Sequence, residues 1–573
     1  MTRKTKGAES AETNPADGTT RRRLLGGGAA AGASVAAMNA APAAAASRWT
    51  ERFLRGRLRN RGGQSGHPVI ADAAPVRASD AVRLRLSAAR DLFGQGRTPV
   101  QATNGDEGRY DDLRASFTKA LPHDDLGEAD GPAYARLLDA LRRRDEAAFE
   151  AVPLSPAATR KLANPQAAYG YVLAGLDTQG CRMAPAPAFA SDETAGEVQE
   201  LYWLAALRDV PFEGFEDDAD VARAVRDINA VPAPAGGRQT AATVFRGETP
   251  GDRAGPMISQ FLLRDVPFGN GTLTQRYPRP ANGADWGADY PEWLEVQRGG
   301  VRGRTDKTGA RFIHDGRSLA EYVHVDFTYQ AYLNAGLILL GLGPDFAAQG
   351  SPARARTTTG GFVTFGAADV VDAVAGAANA ALHAAWFQKW AVHRRLRPEA
   401  YGGRLHNQVS GAKDYDLPRW LADSEAVGRA RAAQGTALLS QAYPEGSPTH
   451  PAYPAGHAAV AGACCTVLKA FFDEDAEMPG LVQANANGTA LSPYDGALTV
   501  GGEIDKLASN VTLGRDWGGV HYRSDGIEGL RVGEDVALAL LADRAACYAE
   551  AFGGFTLRRF DGRRVRVTED GVT

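Results

Sequence analysis

Between residues 80 and 552, apolar side chains recur at three- and four-residue spacing in one segment after another, and strict alternation is scarce. The periodicity predicts helices over 80–92, 131–149, 194–207, 220–228, 319–340, 367–396, 426–442, 457–472 and 527–552. Only 555–567, FTLRRFDGRRVRV, alternates, and it predicts a terminal hairpin turning at Asp561-Gly562. Long proline- and glycine-rich connections at 231–255 and 277–303 separate the helices, the second carrying Trp286, Tyr290 and Trp293. Loops of that length inside a compact chain are usually functional or interfacial. The fold class this predicts is all-α: a large helical bundle with long loops, a polar site built from several helices and loops, and a short C-terminal hairpin.

No low-complexity linker divides the chain after residue 70, so 69–573 reads as one large domain. The charge of the full chain is mild, 64 Lys+Arg against 68 Asp+Glu, and the basic residues are dispersed, which argues against a nucleic-acid partner. Four cysteines are too few for a disulfide framework, and the adjacent Cys464 and Cys465 fall in an apolar helical run that suits buried free thiols. No His/Cys cluster has zinc spacing. The first residues read differently: Thr20-Arg21-Arg22-Arg23-Leu24-Leu25, a Gly/Ala-rich run from Gly26 to Ala37, then small residues to Ala46-Ser47. Residues 1–46 are expected to be a twin-arginine export signal, the run being too weakly apolar for a good membrane anchor, and 47–68 a flexible basic stretch. The mature chain would then be periplasmic or secreted, without a membrane anchor.

Three segments concentrate chemistry: 386–398 around KWAVHRRLRP, 450–457 (HPAYPAGH) and 514–525, which opens GRDWGGVH. Lys389, Arg397 and Arg515 can neutralise a compact oxyanion, and arginine forks match tetrahedral oxyanions well. Trp386, Lys389 and His393 share a face at helical spacing, and Pro398 is expected to end that helix at Arg397. Gly456 and His457 stand where the next helix begins, and free N–H groups at a helix start attract anions. Gly514, Gly518 and Gly519 predict a flexible turn around Arg515, with Ser524-Asp525 capping a helix from Ile527. Each segment alone also fits a solvated helix end or entry loop; all three in this order do not.

The order Lys-x7-Arg-Pro, then Gly-His, then Arg-x5-His resembles the vanadium-dependent haloperoxidases, which share their site with acid phosphatases of the type 2 phosphatidate phosphatase superfamily. The flanks KWAVHRRLRPEAYGG, EGSPTHPAYPAGHA and LGRDWGGVHYRSDGIEG are similar to those of algal and cyanobacterial bromoperoxidases, as are GPMISQFLLRDVPFG and LAEYVHVDFTYQAYLNAG upstream. The resemblance implies vanadate as cofactor, with His521 its axial ligand and Lys389, Arg397, Arg515 and the Gly456 N–H around its oxygens. It implies His457 as acid–base group supported by Asp326, and Trp386 and His450 along the halide approach. The implied reaction uses hydrogen peroxide to oxidise halide, bromide foremost, to hypohalous acid that halogenates an organic acceptor; the implied assembly is a homo-oligomer. Calcium is compatible with the chain but not indicated. One departure stands out: the family usually has serine where this chain has Ala455. The competing reading is a phosphomonoesterase with His521 as nucleophile, since the same cations would stabilise its transition state. A simple phosphate-binding protein fits less well, because binding alone needs no acid–base histidine.

Overall fold

The computed structural model describes residues 73–94 and 99–573, so the export signal and the 47–68 stretch expected from the sequence lie outside the described residues. The chain divides into two compact units, 1–87 and 88–573, and every candidate site residue falls in the second. The helices of eight residues or more are Ala73–Gly94 (α1), Gly131–Arg143 (α2), Asp192–Ala206 (α3), Ala219–Asn229 (α4), Tyr290–Gln297 (α5), Gly316–Val325 (α6), Gln330–Leu342 (α7), Ala367–Trp386 (α8), Pro398–Ser410 (α9), Glu425–Gln434 (α10), Gly456–Phe471 (α11), Val500–Trp517 (α12) and Arg523–Ala545 (α13). Sheet is confined to short pieces: hairpins β1 (Val266–Phe268) with β2 (Gly271–Leu273) and β3 (Val482–Ala484) with β4 (Leu491–Pro493), and an antiparallel triple, β5 (Phe555–Arg558), β6 (Arg564–Thr568) and β7 (Gly571–Val572). The expected C-terminal hairpin is therefore present, pairing Phe555 with Val567 through a turn where Gly562 has φ 84°.

Helix α11 is the axis of the core, packed by α13, α8 and α12, and its side chains from Ala458 to Phe471 are all buried. Close approach to α13 needs two glycines. A Cβ at Gly462 would lie 2.1 Å from the Leu530 carbonyl oxygen, and one at Gly533 would lie 2.0 Å from that of Ala459. Cys464 and Cys465 sit on α11 as buried free thiols. Residues 367–393 form the only stretch among the described residues long and apolar enough to cross a membrane, and much of it is buried in the protein core.

Several boundaries differ from the sequence expectation. The 319–340 helix is two, α6 and α7, interrupted at Asp326, whose extended backbone (φ −67°, ψ 151°) caps α6. The 367–396 helix stops earlier: α8 widens into a π-helical stretch, Phe387–His393, and ends where Arg394 turns left-handed at φ 41°. Arg397 instead caps the unanticipated α9, whose first residue is Pro398, a position where a missing N–H costs nothing. The 131–149 helix breaks at left-handed Arg144, 426–442 stops at Gln434 before Gly435, and 527–552 runs instead from Arg523 to Ala545. The expected turn begins later than Gly514: Arg515 lies in the last turn of α12, whose first turn the Thr499 hydroxyl caps, and the chain turns only at Gly518-Gly519, where Gly519 has φ 77°. Gly514 is there for packing, because a Cβ would come within 2.9 Å of Val323 on α6.

The long 277–303 connection is a buttress. Trp293 is buried and donates its indole N–H to the Glu399 carbonyl at 2.8 Å, while Trp286 exchanges backbone hydrogen bonds with Gln441. It fixes the start of α9 and the loop ahead of His450.

Candidate active site

The ends of α6, α8, α9, α11, α12 and α13 converge on one pocket. Lys389 is fully buried in the π-helical stretch, and its ammonium donates to the carbonyls of Pro451 (2.7 Å) and Ala452 (2.9 Å). Arg397, 1% exposed, donates to the carbonyls of His450 (2.8 Å) and Val520 (2.7 Å), to His450 Nδ1 (3.0 Å) and to His521 Nε2 (2.9 Å). Among the described residues Arg515 makes one hydrogen bond, Nη1 to the Val323 carbonyl at 2.8 Å, and its buried Nε–H finds no partner there. Its guanidinium carbon lies 5.4 Å from the Tyr443 ring centre.

None of these three cations pairs with a carboxylate among the described residues. A buried charge without a counter-charge is costly. Burial, with Arg397 next, pushes the Lys389 ammonium well below its ordinary pKa, and burial pushes Arg397 down to about 9, the Asp525 carboxylate only partly opposing both. The donor set, an ammonium, two guanidinium forks and the N–H groups opening α11 at Gly456, fits a compact oxyanion such as vanadate.

His521 is poised beside that space. An arginine can only donate, so the contact with Arg397 fixes Nε2 as an acceptor, and Nδ1 carries the proton to Asp525 Oδ2 at 2.8 Å. Burial, then Arg397, Lys389 and Arg515, hold the imidazole well below its usual pKa, which keeps Nε2 unprotonated, its lone pair shared only with the Arg397 N–H. Asp525 is fully buried; its other oxygen accepts from Arg395 (2.8 Å), which also pairs with Glu197 (3.1 Å) and stacks over Tyr522 at 3.9 Å. The Asp525 carbonyl accepts the Ala455 N–H at 2.9 Å, so one residue ties His521 to the start of α11.

His457 stands in the first turn of α11, donating Nε2–H to Asp326 Oδ1 at 3.0 Å, and is 31% exposed against 6% for the carboxylate. The break between α6 and α7 is what lets Asp326 turn toward it. Trp386 and His450 pack ring to ring at 4.8 Å, the indole anchored on the Ala163 carbonyl. A Cβ at Gly456 would come to 3.3 Å from the Trp386 ring, so this glycine leaves the helix start open beside the indole. Ala455 is the residue capping α11 and contributes no side-chain cap.

Asp326, Trp386, Lys389, Arg397, His450, Ala455, Gly456, His457, Arg515 and His521, the residues that the family resemblance points to, thus lie on the elements that meet at this pocket. His393 does not join them: the π-helical widening turns it edge-on to Tyr453 at 4.8 Å, away from the face it was expected to share with Lys389. The sequence reading also missed Arg395, Glu197 and Tyr443, and took Asp525 only as a helix cap. Its four-residue spacing from His521 was the one available signal.

Residues 370–549 match a family profile described as the VCPO second helical-bundle domain. The chain is 36% identical over 527 residues to a vanadium-dependent bromoperoxidase from Ascophyllum nodosum, covering 87% of this chain and 93% of the relative. It is 33% identical to the one from Corallina pilulifera, covering 87% of this chain and all of the relative. The homohexameric vanadate-dependent bromoperoxidase AnII from Ascophyllum nodosum superposes with a TM-score of 0.82 at 29% identity, over 90% of this chain and 95% of that one. An all-α core, a cation-lined oxyanion pocket and identity over nearly the full length of these relatives converge: the chain belongs to the vanadium-dependent bromoperoxidase family.

Proposed function

We propose that this pocket binds vanadate and catalyses peroxide-dependent oxidation of bromide, the hypohalous product going on to halogenate an organic acceptor. The observation that carries the reading is the set of three buried cations without a carboxylate, facing a histidine lone pair. Lys389, Arg397, Arg515 and the Gly456 N–H would hold the vanadate oxygens, and His521 would supply a nitrogen ligand. When bound, vanadium(V) supplies a Lewis acid that activates peroxide without changing oxidation state. The chain's cations draw negative charge from the reacting oxygens. His457, oriented by Asp326 and partly open to solvent, moves protons in and out of the site. Trp386 and the uncharged ring of His450 line the halide's approach, and burial with Lys389 and Arg397 nearby keeps His450 from protonating.

Phosphate ester hydrolysis could draw on the same cations and lone pair, but the extended identity to bromoperoxidases favours the peroxidase. The test is to assay the purified chain for bromination with vanadate and peroxide and, without vanadate, for aryl phosphate hydrolysis. Bromination is expected; hydrolysis alone would reverse the assignment. Twin-arginine export, supported by Arg21 to Leu25, and assembly as a homo-oligomer, supported by the homohexameric neighbour, complete the proposal. The cleaved mass of the exported chain and its mass in solution check both.

Ala455 gives a chain-specific expectation. Its backbone (φ −68°, ψ 126°) is that of a helix-capping residue without a capping side chain. In Ala455→Ser the new hydroxyl can reach either the free helix N–H groups or a vanadate oxygen. One added charge-assisted bond, worth about 1.5–3 kcal/mol, should tighten vanadate by roughly 10- to 100-fold. Unchanged or weaker affinity by calorimetry would mean that the hydroxyl turns to the helix instead.

A further inference from the structure

We propose that His324 is a positioning residue of this site, clamping the end of α6 to the loop that carries His450 and holding Tyr443 against Arg515. The inference rests on the vanadate reading of the pocket and extends it to a residue outside the three segments.

The last turn of α6 serves the site from both sides of His324. One residue before it, the Val323 carbonyl accepts the single hydrogen bond of Arg515; two residues after it, Asp326 holds His457. His324 fastens this turn to a different part of the chain. Its Nε2 lies 2.7 Å from Glu445 Oε1, five residues before His450, and its ring stacks on Tyr443 at 3.9 Å with planes 13° apart. The Tyr443 hydroxyl closes the unit by donating to the Ala320 carbonyl at 2.7 Å, and the Arg515 guanidinium lies near the same ring. If the turn moved, a cation of the pocket and the partner of the acid–base histidine would move with it.

The clamp is built for a charged imidazole. On its own helix His324 faces Glu321, with Oε2 at 3.5 Å from Nδ1, an ion-pair rather than a hydrogen-bond distance; from the loop it faces Glu445. Lys307 pairs with Glu321, Arg160 bears on Glu445, and Arg515 lies beyond Tyr443. Burial disfavours the charged form, but Glu321 and Glu445 outweigh it and raise the His324 pKa above its ordinary value. A group whose pKa rises on folding gives its full stabilisation below the unfolded value, about 6.5 for histidine, and loses it as pH climbs through the folded value.

The test compares wild type with His324→Gln, which keeps a hydrogen bond but no charge, and with Glu445→Gln, which removes the partner. Orthovanadate affinity of the vanadate-free proteins is read by calorimetry from pH 5.5 upward, with thermal midpoints alongside. Loss of a positioning partner typically costs about 10- to 100-fold in affinity. We expect a deficit of about tenfold in each variant near pH 6, shrinking as pH rises, with the midpoint difference shrinking in parallel. Folded variants that match wild-type affinity near pH 6 would overturn the clamp while leaving the vanadate reading intact. A wild type that fails to bind vanadate would overturn that reading itself; the clamp would then stand or fall on the midpoints, a pH-independent difference overturning it.

Discussion

His521→Ala abolishes tight vanadate binding while leaving the fold nearly intact. The ring contributes two hydrogen bonds, one to Asp525 and one from Arg397. Neither partner is stranded by its loss. Asp525 still accepts from Arg395 and the Tyr522 N–H, and Arg397 still reaches the Val520 and His450 carbonyls. The buried carboxylate therefore keeps its counter-charge, and the variant should unfold close to the wild-type temperature. Loss of even an outer partner of a metal site costs up to about 100-fold in affinity, so loss of the nitrogen that would ligate vanadium should cost at least about that much. Calorimetric titration with orthovanadate, paired with a thermal melt, checks both halves. Retained affinity in the folded variant would mean that another group ligates the vanadate.

Arg515→Met should separate stability from function. Arg515 gives one hydrogen bond to Val323 and buries one unpartnered N–H, so a linear apolar side chain of similar length gives up that bond and strands one carbonyl, a cost of about 1–3 kcal/mol. Removing an uncompensated buried cation offsets that loss, and the thermal midpoint should stay level or rise. Vanadate binding should collapse. Two charge-assisted bonds at about 1.5–3 kcal/mol each correspond to roughly 100-fold or more in dissociation constant. A midpoint that falls steeply would show that Arg515 is a structural cation; affinity within a few-fold of wild type would remove it from the oxyanion's donor set.

The candidate site residues could be picked out of the sequence because the proposed chemistry demands rare side chains at fixed separations, and Lys389 to Arg397 is one such separation. Their local geometry was less legible. Glycine at 514 and at 402 and 403 reads as a helix breaker by propensity, yet these residues lie within α12 and α9, because close packing against neighbours decides there and not backbone freedom. The π-helical widening after Trp386 leaves no mark in a periodicity tuned to 3.6 residues, and it alone sends His393 elsewhere. Asp326 was placed on a continuous helix because hydrophobic spacing runs on through the break at 326–329; only the fold shows the interruption that frees it to meet His457. Partners from distant parts of the chain were out of reach altogether. Arg395 with Glu197, and His324 with Glu445, are separated by 198 and 121 residues, and no local pattern joins such pairs.

On the proposed reading, the buried cations and His521 form a vanadate site that drives halide oxidation. The decisive measurement titrates the vanadate-free wild-type chain with orthovanadate while following peroxide-dependent bromination of a dye. Bromination should be absent without vanadate, rise in proportion to vanadate added, saturate at one equivalent per chain, and stay at background in His521→Ala throughout. Bromination that is indifferent to vanadate, or none at any pH between about 5 and 8, where histidine titrates, would contradict it.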